Sequence, residues 1–241
     1  MRTLTAGAAI AAVALIAAGA RAEPRTVVVE LFTSQGCSSC PPADAMVGRI
    51  TDEPGVIALS LHVDYWDYIG WEDPYAQAKF SARQKRYVGD MARRYVYTPQ
   101  MVVDGRHDAV GSREGEVRDA IAKARRVPMA VRPQFETGDH PRVVVPRANG
   151  AGEASVYLAF YDDKHVTDVG AGENAGRTLT NYNVVRRFER LGSWDGARTS
   201  FDVDLSRALK NGRDHCVVIV QKGRTGPILG AAELALAEPS G

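Results

Sequence analysis

The chain has 241 residues, of which 30 are basic and 29 acidic, so its formal net charge is +1 at neutral pH. This balance excludes the broad basic surface with which proteins bind nucleic acid or an anionic membrane. Three cysteines are too few for a disulfide-stapled scaffold. The length suits one large or two small domains, each with a substantial hydrophobic core.

The first 22 residues have the pattern of a cleavable signal peptide. Arg2 provides a positive start, Leu4–Ala18 an apolar stretch, and Ala20-Arg21-Ala22 a small-x-small cleavage site. The apolar stretch is shorter than the ~20 residues that a membrane-spanning helix needs. We therefore expect a mature chain that starts at Glu23, has no membrane span after cleavage, and is periplasmic or secreted, where disulfides form.

The stretch Glu30–Asp44, which reads ELFTSQGCSSCPPAD, is the most informative about function. An apolar, β-branched strand predicted over Thr26–Phe32 ends in a polar turn, and a helix-compatible segment follows from Pro41. Cys37 and Cys40 therefore lie where a strand passes into a helix N-terminus, whose free N–H groups and dipole stabilise a thiolate. Their spacing also lets the two sulfurs form a disulfide.

A second apolar strand, Val56–Val63, completes a βαβ pattern and predicts parallel pairing with the first strand. An aromatic loop, DYWDYIGW at Asp64–Trp71, follows it. Because ligands bind at the carboxyl ends of parallel strands, we expect this loop to lie beside the cysteines. Trp66 and Asp67 are candidate contacts for a protein or peptide partner. The alternative is that the aromatic rings only pack the loop.

A polar helix is predicted from Asp73-Pro74 to about Tyr95, with Asp73 as N-cap and proline at the first helical position. Its basic side chains are expected on a solvated face: Arg83, Lys85, Arg86, Arg93 and Arg94. A hairpin follows, in which Gln100–Val103 and a strand ending at Val110 are joined by the turn Asp104-Gly105. A further helix is predicted over Glu116–Ala124.

The order strand, Cys-x-x-Cys, helix, strand, helix, Thr98-Pro99, hairpin and helix resembles the thioredoxin fold over about Arg25–Arg126. This resemblance implies that Cys37 is the attacking thiol and Cys40 the resolving thiol. It also implies that Pro99 is a cis-proline lying against the pair, with the backbone of Thr98 binding an extended substrate segment. An X-Pro bond is the one peptide bond for which the cis form costs little.

The whole mature chain has a closer resemblance. The strings ELFTSQGCSSCPPAD, HVDYWDYIGW, YTPQMVVDG and GENAGRTL are similar to an uncharacterised family of exported bacterial thioredoxin-like proteins, a domain of unknown function. That resemblance implies fold and location but no established activity.

Two departures from ordinary thioredoxins concern redox direction and proton transfer. The dipeptide Ser38-Ser39 is neither the Gly-Pro of reductants nor the Pro-His of strong oxidants, so the direction of electron flow is not specified. Glu30 is the candidate for the buried acidic residue that thioredoxins often carry beneath the cysteines, where it could take the proton of Cys40. The alternative for Glu30 is a structural, hydrogen-bonded carboxylate.

From Pro128 the composition shifts towards valine, glycine and proline, and short alternating runs predict a β-rich, sandwich-like C-terminal domain. The expected division is residues 1–22, 23–127 and 128–241. The predicted strands are Arg142–Val145, Ala154–Tyr161, Val166–Val169, Val184–Phe188, Ser200–Val203, Cys216–Gln221 and Ile228–Leu234. The segment Val184–Arg190 fits a helix equally well. The glycine-rich segment Gly170–Thr180 predicts a turn, or a loop that touches the first domain. Cys216 is expected to be a buried hydrophobe, with a third redox thiol or a metal ligand beside His215 as alternatives.

Three classes of function are consistent with these residues. The first is an exported thiol–disulfide oxidoreductase that exchanges disulfides with protein thiols, with no cofactor. The second is a carrier of a soft ion such as Cu(I), held by the same cysteines with His62 nearby. The third is a non-catalytic binding or assembly module with a stable disulfide. We expect no structural metal site, and the sequence specifies neither the partner nor the oligomeric state.

Overall fold

The computed structural model describes residues 25–236, so the predicted signal peptide lies outside the described residues. In this part of the chain, an eight-stranded mixed sheet and a three-stranded sheet pack with four α-helices. The predicted α/β class is confirmed. No helix among residues 25–236 is long and apolar enough to cross a membrane.

The first half builds one side of the large sheet. Its elements are β1 (Val27–Thr33), α1 (Pro41–Ile50), β2 (Val56–His62), a 3₁₀ turn (Asp67–Ile69), α2 (Ala78–Asp90), β3 (Gln100–Val103), β4 (His107–Val110) and α3 (Glu114–Arg125). The strand β1 pairs parallel with β2 and antiparallel with β3, which forms a hairpin with β4. The predicted parallel pair and hairpin are confirmed.

The helix α2 differs from its prediction in three ways, of which the first is that it ends at Asp90 and does not reach Tyr95. It starts at Ala78, because the carboxylate of Asp73 is buried and accepts hydrogen bonds from the Gln35 N–H and from His62 instead of capping a helix. Its basic residues are not all solvated either, since Arg83 is buried and forms an ion pair with Glu30. A buried guanidinium is stable only when a carboxylate neutralises it, and the sequence pattern did not show that partner.

The second half continues the same sheet. Its elements are β5 (Gln134–Glu136), β6 (Arg142–Val145), β7 (Ala154–Asp168), β8 (Thr178–Trp194), β9 (Thr199–Asp202), α4 (Ser206–Lys210), β10 (His215–Lys222) and β11 (Ile228–Ala235). The large sheet has the order β11-β10-β7-β8-β2-β1-β3-β4, and the small one β5-β6-β9. The division predicted at residues 127 and 128 therefore falls between segments that share one sheet, joined where β2 pairs with β8.

Three hydrophobic clusters fill the two faces of the large sheet. One face carries a continuous cluster from Val28 and Phe32 of β1, under α2, to Ile228 of β11. On the opposite face, α1 and α3 cover β1 through Val29 and Leu31, and the small sheet covers β7 and β10. The expected sandwich-like packing is present there, but its larger layer belongs to the common sheet.

Candidate functional site

Cys37 and Cys40 form a disulfide at the N-terminus of α1, with their Cα atoms 5.4 Å apart. The polar turn after β1 ends at Cys40, the N-cap residue, whose carbonyl accepts hydrogen bonds from the first turn of the helix. Prolines at the first two helical positions favour this start, because they lack the N–H that would otherwise be unpaired. Both cysteines are almost inaccessible, at 1% and 0% exposure, whereas Ser38 and Ser39 are exposed.

The Thr98-Pro99 step lies next to the cysteine turn. Its peptide bond is cis, and Pro99 is buried. The Ser39 hydroxyl lies 3.3 Å from the Cys37 sulfur and 3.5 Å from the carbonyl oxygen of Thr98. The indole N–H of Trp66 donates to the Thr98 hydroxyl at 2.8 Å. The structure thus brings together Cys37, Thr98 and Trp66, which sequence patterns placed in one site from three separate segments.

Asp67 is engaged within its own loop. Its carboxylate accepts a hydrogen bond from the Asp73 N–H at 3.2 Å. Burial raises the pKa of Asp67, and the negative charges of Asp73, Asp64 and Glu72 raise it further. The hydrogen bond from the Asp73 N–H acts in the opposite direction but is too weak to cancel the rise. This places Asp67 as a residue that shapes the aromatic loop, and its role in substrate binding stays a prediction.

Glu30 does not lie on the side of the sheet where the cysteine helix packs. Its carboxylate binds the Arg83 guanidinium at 2.6 and 3.0 Å and accepts a hydrogen bond from the Tyr87 hydroxyl, all on the α2 face. The flanking residues Val29 and Leu31 point to the opposite face and pack with α1. Strand side chains alternate between faces, so the predicted role of Glu30 as proton acceptor for Cys40 is wrong.

A different acidic group lies on the cysteine side of the sheet. Asp44 is four residues after Cys40 on α1, is buried, and accepts a hydrogen bond from the Thr33 hydroxyl at 2.8 Å. Next to it, His62 at the end of β2 forms a buried pair with Asp73, with 2.7 Å between Nδ1 and the carboxylate oxygen. We call Asp44, His62 and Asp73 the buried acid cluster.

The charges of this cluster are coupled. Burial raises the pKa of Asp44 to about 7, against the opposing effects of the His62 charge and the Thr33 hydrogen bond. Burial by itself lowers the pKa of His62, but the charge and hydrogen bond of Asp73, together with Asp44, raise it above its usual value. Burial acts to raise the pKa of Asp73, and His62 brings it below the usual value. Asp44 therefore gains or loses its proton near neutral pH.

The loop between β7 and β8 covers the cysteine turn from the second half of the chain. We call residues 169–177 the hairpin tip. The side-chain amide of Asn174 is buried and donates to the carbonyl oxygens of Gln35 at 2.8 Å and Cys37 at 3.0 Å. The Glu173 carboxylate accepts a hydrogen bond from the Ser38 N–H at 3.1 Å. A loop that touches the first half was one of the two predictions for this segment.

The fold and the site define a mixed α/β protein with a Cys-x-x-Cys disulfide at a helix N-terminus. The chain belongs to the family described as a protein of unknown function (DUF1223), whose match covers residues 28–221. The expectation of a domain of unknown function is confirmed. The X-ray crystal structure of protein AGR_C_4864 from Agrobacterium tumefaciens is similar to the chain. The two share 32% identity at a TM-score of 0.78, over 90% of this chain and 97% of that chain. No curated protein matches.

Sequence reasoning missed the buried acid cluster and the contacts of the hairpin tip. The sequence could have shown that Asp44 lies near Cys40, because residues four apart on a helix share a face and Asp44 follows Cys40 at that spacing. No pattern predicted that Asp73 lies in this cluster, since an Asp-Pro step before a polar helix predicts a helix N-cap. Glu173 and Asn174 lie in the string GENAGRTL, but no pattern links that string to the cysteines.

Proposed function

We propose that this protein is a thiol–disulfide oxidoreductase with a thioredoxin-like site. The observation that carries the proposal is the Cys37–Cys40 disulfide at the N-terminus of α1. The hydroxyl group of Ser39 lies between the Cys37 sulfur and the carbonyl oxygen of Thr98, so the disulfide is close to the Thr98-Pro99 step. A helix N-terminus stabilises a thiolate, which is the reactive form of a cysteine. The order of β1, α1, β2, α2, β3, β4 and α3 also supports a thioredoxin-like fold for the first half.

The exchange reaction uses both cysteines in turn. In the reduced protein, the Cys37 thiolate attacks one sulfur of a partner disulfide, and the second partner sulfur leaves as a thiolate. Cys40 then loses its proton, and its thiolate attacks the Cys37 sulfur. The Cys37–Cys40 bond forms, the bond from Cys37 to the partner breaks, and the partner leaves as a second thiolate. The reverse sequence oxidises a partner dithiol.

We assign Asp44 as the proton acceptor for Cys40. The two residues are one helical turn apart and both are buried. Helical side chains point towards the N-terminus, so the Asp44 carboxyl group leans towards the first turn, where Cys40 lies. A carboxyl group with a pKa of about 7 holds or releases a proton near the pH at which a thiol exchanges. The charge of His62 favours the ionised form of Asp44, whereas the carboxylate of Asp73 opposes it.

The burial of both sulfurs favours a second candidate function, a binding or assembly module with a structural disulfide. The two candidates differ in the reduction potential of the cysteine pair. Known exchangers lie between about −120 and −270 mV, whereas structural disulfides lie below roughly −300 mV.

The redox equilibrium of Cys37 and Cys40 against a glutathione series, measured by thiol alkylation, tests the proposal. We expect a potential inside the range of the exchangers, and the potential also gives the direction of electron flow. The variant Cys37→Ser, in which Cys40 is left without its partner, provides the baseline for alkylation. A pair that stays oxidised under strongly reducing glutathione would instead identify the second candidate.

We also propose that the protein acts in the periplasm or outside the cell, because residues 1–22 have the pattern of a cleavable signal peptide. Protein disulfides persist in such compartments. N-terminal sequencing of the protein from a cell-envelope fraction is expected to start at Glu23. An intact N-terminus in the cytoplasmic fraction would contradict this location.

A further inference from the structure

We propose that the hairpin tip is a gate over the cysteine pair, that Glu173 and Asn174 hold it closed, and that a reacting thiol reaches the disulfide only when the tip moves away. This inference rests on the proposed exchange function for its biological meaning, but not for its test. The observation that requires it is the conflict between a reactive cysteine pair and two sulfurs with almost no exposure.

The tip is positioned by a long hairpin. The inner parts of β7 and β8 lie in the large sheet, and the register between them shifts at Phe160 and Tyr161. Asn183, which follows this irregularity on the side towards the tip, has a positive φ of 47°. Beyond it the two strands continue as an arm, in which residues 164–168 pair with residues 178–182. The ring of Tyr182 packs against Gly48 of α1 and fixes the arm beside the cysteine helix.

The closed position depends on polar contacts with the cysteine turn itself. Asn174 donates to the carbonyl groups on both sides of Gly36, and Glu173 accepts from the N–H of the residue after Cys37. The tip thus occupies the backbone groups that border Cys37. The Arg177 guanidinium donates to the Asn174 side-chain oxygen at 2.7 Å, which holds the amide in the orientation that both carbonyls need.

The tip can separate from the turn without loss of the hydrophobic core. Within the hairpin tip, Val169 and Asn174 are the buried side chains, and Val169 belongs to none of the three hydrophobic clusters. The other residues of the tip are exposed or half-buried. Gly172 and Gly176 have positive φ values of 74° and 77°, a conformation that glycine adopts without strain. Backbone hydrogen bonds inside the tip, such as Val169 to Arg177, let it move as a unit. Segments with few buried apolar contacts open at low free-energy cost.

The test measures how fast dithiothreitol reduces the Cys37–Cys40 disulfide in the oxidised mature protein, by acid quench and alkylation over a range of reductant concentrations. We expect the wild-type rate constant to level off at high concentration, because opening of the tip then limits the reaction. Asn174→Asp keeps the size of the side chain but removes both donated hydrogen bonds and sets a carboxylate against two carbonyl oxygens. We expect reduction at least tenfold faster, with a linear dependence on dithiothreitol.

Two matched variants separate the gate from general effects. Glu173→Ala removes the acceptor for the Ser38 N–H and is expected to react severalfold faster, whereas Glu173→Gln keeps an acceptor and is expected near the wild-type rate. Ala175→Ser changes an exposed position of the same tip and serves as the control. Denaturant unfolding with the disulfide intact checks that each variant is folded, and Glu173→Ala carries the test if Asn174→Asp is not.

The proposal is overturned if Glu173→Ala and the folded Asn174 variant react within twofold of wild type and all rates depend linearly on dithiothreitol. This result is independent of the glutathione equilibrium. A reduction potential below the range of the exchangers would refute the proposed function but not the gate. Reduction rates that refute the gate would not change the measured reduction potential.

Discussion

At the scale of single residues, Asp44 is expected to make the stability of the protein depend on pH. Its pKa is raised to about 7 by burial, so the folded protein binds a proton there more tightly than the unfolded chain does. The stability that this proton contributes is complete below about pH 4 and is lost as pH rises through 7. A shift of about three pH units corresponds to at most roughly 4 kcal/mol.

We predict that Asp44→Asn stabilises the oxidised protein at pH 8 by up to a few kcal/mol relative to wild type. The amide is neutral at every pH and still accepts the hydrogen bond from Thr33. Urea unfolding at a series of pH values measures the difference, which should be small near pH 4. Equal pH slopes for both proteins between pH 4 and 8 would contradict the raised pKa.

Glu30 and Asp44 are a matched pair of buried carboxyl groups on opposite faces of the sheet. We predict that Glu30→Gln lowers the free energy of unfolding by about 3 kcal/mol, because it leaves the Arg83 charge buried without its carboxylate. It should leave the pH profile of disulfide exchange unchanged. Asp44→Asn should shift that profile, because it removes the group that takes the proton of Cys40.

Stopped-flow exchange with a model disulfide between pH 5 and 9 compares the two variants. If Glu30→Gln shifts the profile and Asp44→Asn does not, the assignment of Asp44 is wrong.

The spacing of Cys37 and Cys40 was sufficient to predict that they can form a disulfide, and the resemblance to thioredoxins implied the cis bond at Thr98-Pro99. The sequence was insufficient for the proton acceptor. Alternation along β1 predicts that Glu30 and Leu31 lie on different faces, but it does not say which face the cysteine helix covers. That depends on how α1 and α2 pack across the sheet.

At the scale of elements, β7 was predicted as two short strands, Ala154–Tyr161 and Val166–Val169, which the structure joins into one. The polar run after Tyr161 suggested a break, yet β7 continues to Asp168. The strand tolerates Asp162 because the Arg213 guanidinium binds its carboxylate at 2.7 Å, and Arg213 lies far away in sequence. A charge that is neutralised by a distant partner has no local pattern.

The strand β11 contains a glycine that a neighbouring backbone requires. A Cβ at Gly230 would lie 2.1 Å from the carbonyl oxygen of Val131, and the N–H groups of Ala130 and Val131 donate to Leu229. We predict that Gly230→Ala lowers the free energy of unfolding by about 2 kcal/mol or more, since a backbone neighbour cannot give way.

Gly115 in α3 provides the control for that change. A Cβ there meets no atom within 4 Å, so Gly115→Ala should stabilise the protein by about 0.5 kcal/mol through helix propensity. Thermal unfolding of both variants measures the contrast. A neutral Gly230→Ala would show that residues 130 and 131 do not pack across β11.

At the scale of the whole molecule, the two halves share one sheet and one core. Tyr157, Val217 and Ile219 of the second half lie in the same cluster as Phe32 and Leu59. Gln221 also accepts a hydrogen bond from the buried Arg83 at 2.8 Å. Composition predicted a change at residue 128, but no local pattern shows that β8 pairs with β2.

We therefore predict that residues 25–127 expressed alone do not unfold cooperatively. Removal of the second half exposes the edge of β2, strips one end of the continuous cluster, and takes Gln221 from the Arg83 network. Circular dichroism with urea unfolding compares the fragment with a chain of residues 23–241. A sigmoidal transition with a midpoint near that of the full protein would show instead that the first half is an independent domain.

The position of the hairpin tip in the chain also sets an order of events during biosynthesis. The cysteines are translated long before residues 169–177, and the tip reaches them only after β7 and β8 have paired. A nascent chain therefore presents its thiols uncovered, and an oxidant has its readiest access before the second half folds. When the reduced full-length chain is renatured, the oxidant loses this early access to the thiols, because docking of Asn174 then competes with formation of the disulfide.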